Sequence, residues 1–347
     1  MRALALKPSQ RGSATLLELP EPASTGVSVR TLAVGICGTD REIVAGEYGV
    51  APPNQEYLVL GHESLAEVLD PADSNLRAGD LVVGIVRQPD PIPCAACAVG
   101  EWDMCRNGQY TEHGIKGLDG FCVERFCAPA ESLVRVDPIL RETGVLLEPA
   151  SVVAKAWDHI ERIGARSRAW TPRRVLVTGA GPIGLLASLM AQQRGCELHV
   201  FDRDEGGRKP ELVRALGGEY HHSALENLHA LEPDVVVECT GAPSVIVEVI
   251  GHNAASAIVC LTGLSSGSHR IKRDVSALNR TMVLENDVVF GTVNANRRHY
   301  ELAAESLERA DQTWLRKLIT RRVPLDRWHE ALERGDDDIK VVIDFSL

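Results

Sequence analysis

The sequence predicts an α/β protein of two domains, one irregular and β-rich, the other a doubly wound parallel sheet. Three observations predict it. Residues 1 to about 150 are rich in Gly and Pro and carry short β-like runs between turn signals. From Arg174 onward strands alternate regularly with helices, as in a parallel sheet covered on both faces. A glycine-rich turn, Gly179-Ala180-Gly181-Pro182-Ile183-Gly184, joins the first of those strands to the first of those helices.

In the β-rich part the expected strands include Ser28–Val34, Leu81–Val86 and Leu133–Val136. Ala78-Gly79-Asp80 and Leu118-Asp119-Gly120 mark turns. From Pro149 to Ile163, apolar residues recur at helical spacing: Ala150, Val153, Ala154, Trp157, Ile160 and Ile163. The polar run ARSRAWTPRR then reads as a loop. The parallel sheet is expected from Arg174–Thr178, Glu197–Phe201, Asp234–Cys239, Ala257–Leu261 and Val288–Phe290, with a helix over Gly184–Arg194. Amphipathic helices follow residue 292, and a last strand, Lys340–Phe345, is expected to return to the first domain. The expected division is 1–171 with 293–347, and 172–292.

Composition narrows the function. A length of 347 residues supports two cores. The net charge of −11 argues against a nucleic-acid partner, because phosphate binding needs a basic surface. No run approaches the roughly 18 apolar residues of a membrane helix. The apolar start is broken at Lys7 and Pro8, too early for a signal peptide, so a cytoplasmic protein is expected. The nine cysteines are unevenly placed and odd in number, which favours metal ligation or buried thiols over disulfides. Cys122, Cys127, Cys196, Cys239 and Cys260 sit in apolar or strand-like runs and read as core thiols.

The glycine-rich turn fits a dinucleotide. Gly179 permits the tight turn, Gly181 lets backbone approach a pyrophosphate, and Gly184 lets helix pack on strand. The helix N-terminus then faces the phosphates. Asp202 ends the next strand, 18 residues after Gly184, where an acid can accept hydrogen bonds from ribose hydroxyls. That carboxylate favours NAD over NADP. Arg203, Arg208 and Lys209 follow it and could clamp a 2′-phosphate, so NADP stays open.

Two residue groups suit a metal. Cys37 lies in a turn after a strand, Gly61-His62-Glu63 at the start of another, and Glu148 at the entry of the Pro149–Ile163 helix. Thiolate, imidazole and carboxylate make a three-ligand zinc set with a fourth position open. The second group is Cys94-x2-Cys97-x7-Cys105. Three cysteines at this spacing indicate a metal, which would need a fourth donor; the rival is a lobe that has lost its metal.

The segments VGICGTD, LGHE, AGDLVVG, the Cys94–Cys105 lobe, DGFCVERFCAPAESLV, GAGPIGLLA and VVVECTGAP resemble the medium-chain zinc-dependent dehydrogenases over nearly the whole chain. The resemblance implies a GroES-like catalytic domain and a Rossmann dinucleotide-binding domain. It implies that Cys37 and His62 hold a catalytic zinc, that Glu63 is a ligand or swings in and out of that role, and that Glu148 completes the set, directly or through water. Thr39 resembles a hydroxyl that relays the substrate proton, and Thr240 in VVVECTGAP falls in the cofactor site. In the family the structural zinc has four cysteines; here Pro91 takes the first position, and Asp90 is the neighbouring carboxylate that could replace it.

Within that family the chain is most similar to the glucose (aldose) 1-dehydrogenases. QYTEHGI resembles their sugar-contacting stretch and supplies Glu112, LLEPASVVAKAW their helix entry, and GTVNANRRHY places Asn294 near substrate and nicotinamide. Carboxylate and amide side chains suit a ring rich in hydroxyls. Val152 and Leu284 stand where some sugar-oxidising relatives present polar groups. The implied reaction takes an aldose at C1 to the lactone, with zinc on the anomeric hydroxyl and hydride passing to NAD or NADP. The alternatives are a polyol or secondary-alcohol dehydrogenase, and a dinucleotide-binding protein without turnover. The resemblance also implies a homodimer or homotetramer.

Overall fold

Four inner strands rich in Val, Ile and Leu and largely buried, with a less buried strand at each edge, form the sheet that the alternating pattern called for. The computed structural model describes residues 1–347 apart from 24, 224, 266 and 268 and the side chains of 226, 227 and 229. In chain order the strands of the two main sheets are β1 (Val27–Ile36), β2 (Glu63–Asp70), β3 (Leu81–Gly84), β4 (Arg125–Ala128), β5 (Leu133–Val136), β6 (Arg174–Thr178), β7 (Glu197–Phe201), β8 (Glu219–His221), β9 (Val235–Glu238), β10 (Ile258–Leu261), β11 (Val288–Gly291), β12 (Ile319–Pro324) and β13 (Lys340–Asp344). Three helices position site residues: α1 (Gly38–Val44), α2 (Leu147–Gly164) and α3 (Pro182–Gln193).

The chain divides into two compact units, Met1–Ser151 with Asn294–Leu347, and Val152–Val293. The first division falls inside α2, whereas the sequence placed it after residue 171, in the polar loop. The difference arises because α2 is one continuous helix whose last three turns pack with the second unit. The second division, at Val293/Asn294, lies one residue from the expected place.

The second unit holds the parallel sheet in the order β8-β7-β6-β9-β10-β11. All five pairings are parallel. The order reverses direction at β6 and β9, which makes the sheet doubly wound and creates a crevice at the strand ends there. The strand β8, with only three residues, has too short an apolar run to be read from sequence. Pro182 starts α3 at a position where its missing N–H costs nothing.

The first unit is built on an antiparallel sheet in the order β5-β3-β2-β1-β13-β12, with β4 also paired to β1. Only β12 and β13 run parallel to each other. The C-terminal strand β13 pairs with β1, Val341 opposite Ile36, so the tail does return to this unit. Its core joins Leu4, Leu6, Val34, Ile36, Leu58, Leu60, Phe121, Val341 and Ile343. Among the described residues no helix is long and apolar enough to cross a membrane.

Candidate active site

The strand β1 ends at Ile36, and the next residue does not sit in a simple turn: Cys37 is the N-cap of α1. Its Sγ accepts from the Thr39 N–H at 3.2 Å, and Asp40 Oδ2 accepts from the Cys37 N–H at 2.9 Å. This reciprocal capping box fixes the sulfur's direction. His62, just before β2, brings Nε2 to 3.0 Å from that sulfur. On the ring's other side, Nδ1 lies 3.3 Å from Oδ1 of the fully buried Asp40. A carboxylate behind the imidazole sets its tautomer and leaves Nε2 as the donor atom.

Glu63 begins β2 opposite Gly35 of β1. Its carboxylate lies across that glycine: a Cβ at position 35 would stand 2.1 Å from Oε2. Both carboxylate oxygens accept from Lys340 Nζ at 2.6 Å, and the two side chains are each 2 % exposed. Lys340 lies on β13, and sequence reading missed it. The signal was there, a lone lysine opening an otherwise apolar strand that only a buried acid would tolerate.

The donors of Cys37, His62 and Glu63 lie within 4.8 Å of one another. Glu148, in the first turn of α2, is buried nearby but lies outside that tight group. Burial pushes its carboxyl up to about 7; His62 pulls it down and Glu63 pushes it further up. Asp40, Glu63 and Glu148 are all buried here, with Lys340 as the one lysine among them. A sulfur, an imidazole nitrogen and a carboxylate oxygen converging in this way are the donor types of a zinc site. Thr39 is half-buried on the first turn of α1, two residues from the sulfur.

Glu112 lies on the short strand Thr111–His113 and is buried, 5 % exposed. Arg87 Nε and Nη2 reach its Oε1 at 3.0 and 2.9 Å, and Asn294 Nδ2 donates to the same oxygen at 2.8 Å. The structure therefore joins the two residues that the sequence proposed for a sugar. The Arg87 guanidinium also stacks 3.7 Å from the Tyr110 ring centre and donates to the Asp103 carbonyl at 3.3 Å. Arg87 was not foreseen; it is a charge closing the apolar run LVVGIV. Asn294 holds a left-handed backbone, φ 62°, which asparagine tolerates, and its Oδ1 accepts from the Ala295 N–H at 2.8 Å. Leu284 is exposed on the helix Val275–Glu285, and Val152 is half-buried in α2.

In the second lobe, Cys94, Cys97 and Cys105 place their sulfurs within 4.8 Å of one another. Arg106 N–H lowers the Cys94 thiol to about 6, with Cys97 N–H helping. Asp90, expected as a fourth ligand, does not join the group. Its Oδ1 accepts from the Ile92 N–H at 2.8 Å, which turns the carboxylate back on its own loop, and it is its backbone N–H that meets Cys97.

The glycine-rich turn carries its residues as the motif demands. Gly179 has φ 90°, and a Cβ there would meet Thr240 Cγ2 at 3.0 Å. Gly181 caps α3 and faces open space, the room a pyrophosphate needs. Pro182 and Ile183 form the first helical residues, and a Cβ at Gly184 would lie 1.7 Å from the Gly179 carbonyl, so only glycine fits. Asp202 is not a free carboxylate. It accepts from Ala180 N–H at 2.6 Å, from Asp204 N–H at 3.1 Å and from Lys209 Nζ at 3.3 Å. The Arg203 side chain beside it is 87 % exposed. Thr240 N–H donates at 2.7 Å to the fully buried Glu238, which closes β9.

Comparison with known proteins decides the family. The glucose dehydrogenase C-terminus model matches residues 141–345, and the alcohol dehydrogenase GroES-like domain model matches residues 23–138. Glucose 1-dehydrogenase of Thermoproteus tenax is 41 % identical over 352 residues, covering 99 % of both chains. The chain belongs to the glucose 1-dehydrogenase family. Its relative from Methanocella arvoryzae is 38 % identical over 358 residues, with 99 % of each chain covered. Among solved structures, glucose dehydrogenase of Haloferax mediterranei in complex with NADP, Zn and gluconolactone aligns over 100 % of both chains with a TM-score of 0.92 and 32 % identity. The GroES-like and Rossmann assignment therefore stands for this family member.

Proposed function

We propose that this chain oxidises an aldose at C1 to the lactone, in a zinc-dependent reaction that passes hydride to NADP. The observation that carries the reading is the sulfur–imidazole–carboxylate group of half-buried Cys37 and buried His62 and Glu63. It is supported by the Haloferax mediterranei relative, whose structure holds NADP, Zn and gluconolactone.

The chemistry that zinc supplies when bound is Lewis acidity toward the anomeric hydroxyl, and that of the dinucleotide is acceptance of the C1 hydride. Cys37 and His62 hold the metal, with Glu63 and Glu148 as carboxylates that join it directly or through water. Asp40 orients His62. Thr39 takes the hydroxyl proton outward. Glu112 and Asn294 bind sugar hydroxyls, and Arg87 fixes the Glu112 carboxylate for that purpose. Gly179, Gly181, Pro182, Ile183 and Gly184 bind the pyrophosphate, and Thr240 and Asn294 meet the nicotinamide half. At the three-cysteine lobe Cys94, Cys97 and Cys105 would hold a structural zinc, with Asp90 as the candidate fourth donor through Oδ2, which is buried and has no hydrogen-bond partner while Oδ1 serves Ile92.

NADP is preferred to NAD because Lys209 offsets the Asp202 charge and Arg203, exposed and only loosely paired with Asp204 at 3.8 Å, is within the chain segment that can pair with a 2′-phosphate. A charge-assisted hydrogen bond of this kind contributes about 1.5 kcal/mol. Arg203→Ala should thus raise KM for NADP about tenfold and leave KM for NAD within about twofold. An equal change for both cofactors would remove Arg203 from the phosphate site.

The direct test adds glucose, galactose, xylose, arabinose or sorbitol with NADP or NAD and follows reduced cofactor by absorbance. Turnover with an aldose, abolished by a zinc chelator, is the expected result. Turnover with sorbitol alone would move the chain to polyol oxidation.

A homodimer is the proposed assembly. β11 is an edge strand, and the helix Val275–Glu285 has no buried residue while Val275, Val283 and Leu284 are exposed. Sedimentation should give a species of twice the chain mass, and Val283→Lys should shift it toward monomer. A monomeric wild type would refute the assembly.

A further inference from the structure

The edge of the parallel sheet carries a second kind of donor cluster, separate from the thiolate groups. Glu197 and His199 alternate along β7, and Glu219 and His221 alternate along β8, so the four side chains leave one face of the sheet. The parallel register sets His199 beside Glu219. β8 is the last strand of the sheet on that side.

His199 Nδ1 lies 3.0 Å from His221 Nε2, and the two rings meet end to end, centres 5.3 Å apart and planes 20° from parallel. Glu219 reaches both rings, Oε2 at 3.7 Å from His199 Nδ1 and Oε1 at 3.9 Å from His221 Nδ1. Glu197 Oε1 lies 3.0 Å from His199 Nε2. A carboxylate there only accepts, so Nε2 carries the proton and Nδ1 keeps its lone pair toward His221. Metal-binding histidines are oriented in this way.

The donors of His199, Glu219 and His221 lie within 4.8 Å of one another. Two nitrogens on a tetrahedral zinc with bonds of about 2.0–2.1 Å stand about 3.3 Å apart. At the observed 3.0 Å the two nitrogens face each other, so both rings must turn as well as part slightly for their lone pairs to converge on one ion. The His199 side chain is 7 % exposed and that of Glu219 67 %, so the cluster is anchored in the sheet and open outward, where water can take a fourth position.

We propose that His199 Nδ1, His221 Nε2 and Glu219 form a binding site for a divalent transition metal of the zinc class, with Glu197 holding His199 in its ligating tautomer. When the ion binds, the one proton of neutral His221 moves from Nε2 to Nδ1, on the side of Glu219 Oε1, so that Nε2 presents its lone pair. Imidazole donors select zinc, nickel or copper over magnesium and calcium. The ion pins edge strand β8 to β7. It also sits behind the dinucleotide loop, because the Asp202 N–H donates to the His221 carbonyl at 3.0 Å.

The test titrates the purified holoenzyme with zinc chloride by calorimetry and measures bound metal by elemental analysis. Wild type should take up one more equivalent per chain than His221→Asn. Glu219→Gln, at an exposed position that does not endanger folding, should weaken the same event at least tenfold. Glu197→Gln should weaken it about tenfold, as loss of a supporting carboxylate does. Turnover with an aldose should stay at the wild-type level in all three variants. Equal zinc uptake and affinity in wild type and Glu219→Gln would overturn the site. So would loss of turnover together with the lost equivalent, because the ion would then belong to the Cys37 group.

Discussion

His62→Ala is expected to reduce turnover at least about 10³-fold. Lewis-acid stabilisation of the developing charge is worth several kcal/mol, and each 1.36 kcal/mol is tenfold in rate. His62 is the one imidazole of the Cys37–His62–Glu63 group, and its Nε2 points at the Cys37 sulfur. Its loss leaves that sulfur and the carboxylates without a nitrogen partner. Zinc content should fall by one equivalent per chain. The glycine-rich turn belongs to the other compact unit, so NADP binding, read by fluorescence or calorimetry, should stay within about twofold. Wild-type turnover in the variant, or a lost dinucleotide affinity with zinc retained, would defeat the assignment.

Lys340→Met is expected to destabilise the fold by about 3–5 kcal/mol, the cost of leaving one member of a buried ion pair alone. Each partner is 2 % exposed, and Lys340 serves both Glu63 oxygens. Methionine fills much of the lysine's volume, so lost packing contributes little. Urea unfolding of the zinc-loaded protein measures the loss. The double variant Glu63→Gln/Lys340→Met should recover most of it, because the charge and its partner then leave together. A loss under about 1 kcal/mol for Lys340→Met would show that Glu63 is supported by something else.

The parallel sheet was legible because its inner strands are buried on both faces. The runs RVLVT, ELHVF and VVVE need no long-range information to be recognised. Glycine, too, wrote its reason into the motif, since a Cβ at Gly184 collides with a carbonyl. Cys37 and His62 were readable as types, through the family likeness of VGICGTD and LGHE. Their partners were not. Asp40 takes its meaning from a capping box, and Lys340 reaches a carboxylate 277 positions away in sequence. Arg87 meets Glu112 and Tyr110 only after two segments separate in sequence come together. Asp90 shows a local demand that the motif does not: an Asx turn to Ile92 takes its Oδ1 and leaves Oδ2 as the oxygen without a partner. The strand Arg2–Leu6 and β8 were missed because short runs become strands only through distant pairing.

Gly35 gives the Glu63 carboxylate a part in assembling the sheet. With Glu63 folded over the bare backbone of β1, only one alignment of β1 on β2 leaves room for it. A slip by one residue would bring Val34 or Ile36 under the carboxylate and pull it from Lys340. Misaligned strands therefore carry a stranded charge in their core and are rejected. Glu63 thus acts as an ionic key to strand alignment, so a chain that has closed this sheet correctly has, in the same event, brought Glu63 to within 4.8 Å of the Cys37 and His62 donor atoms.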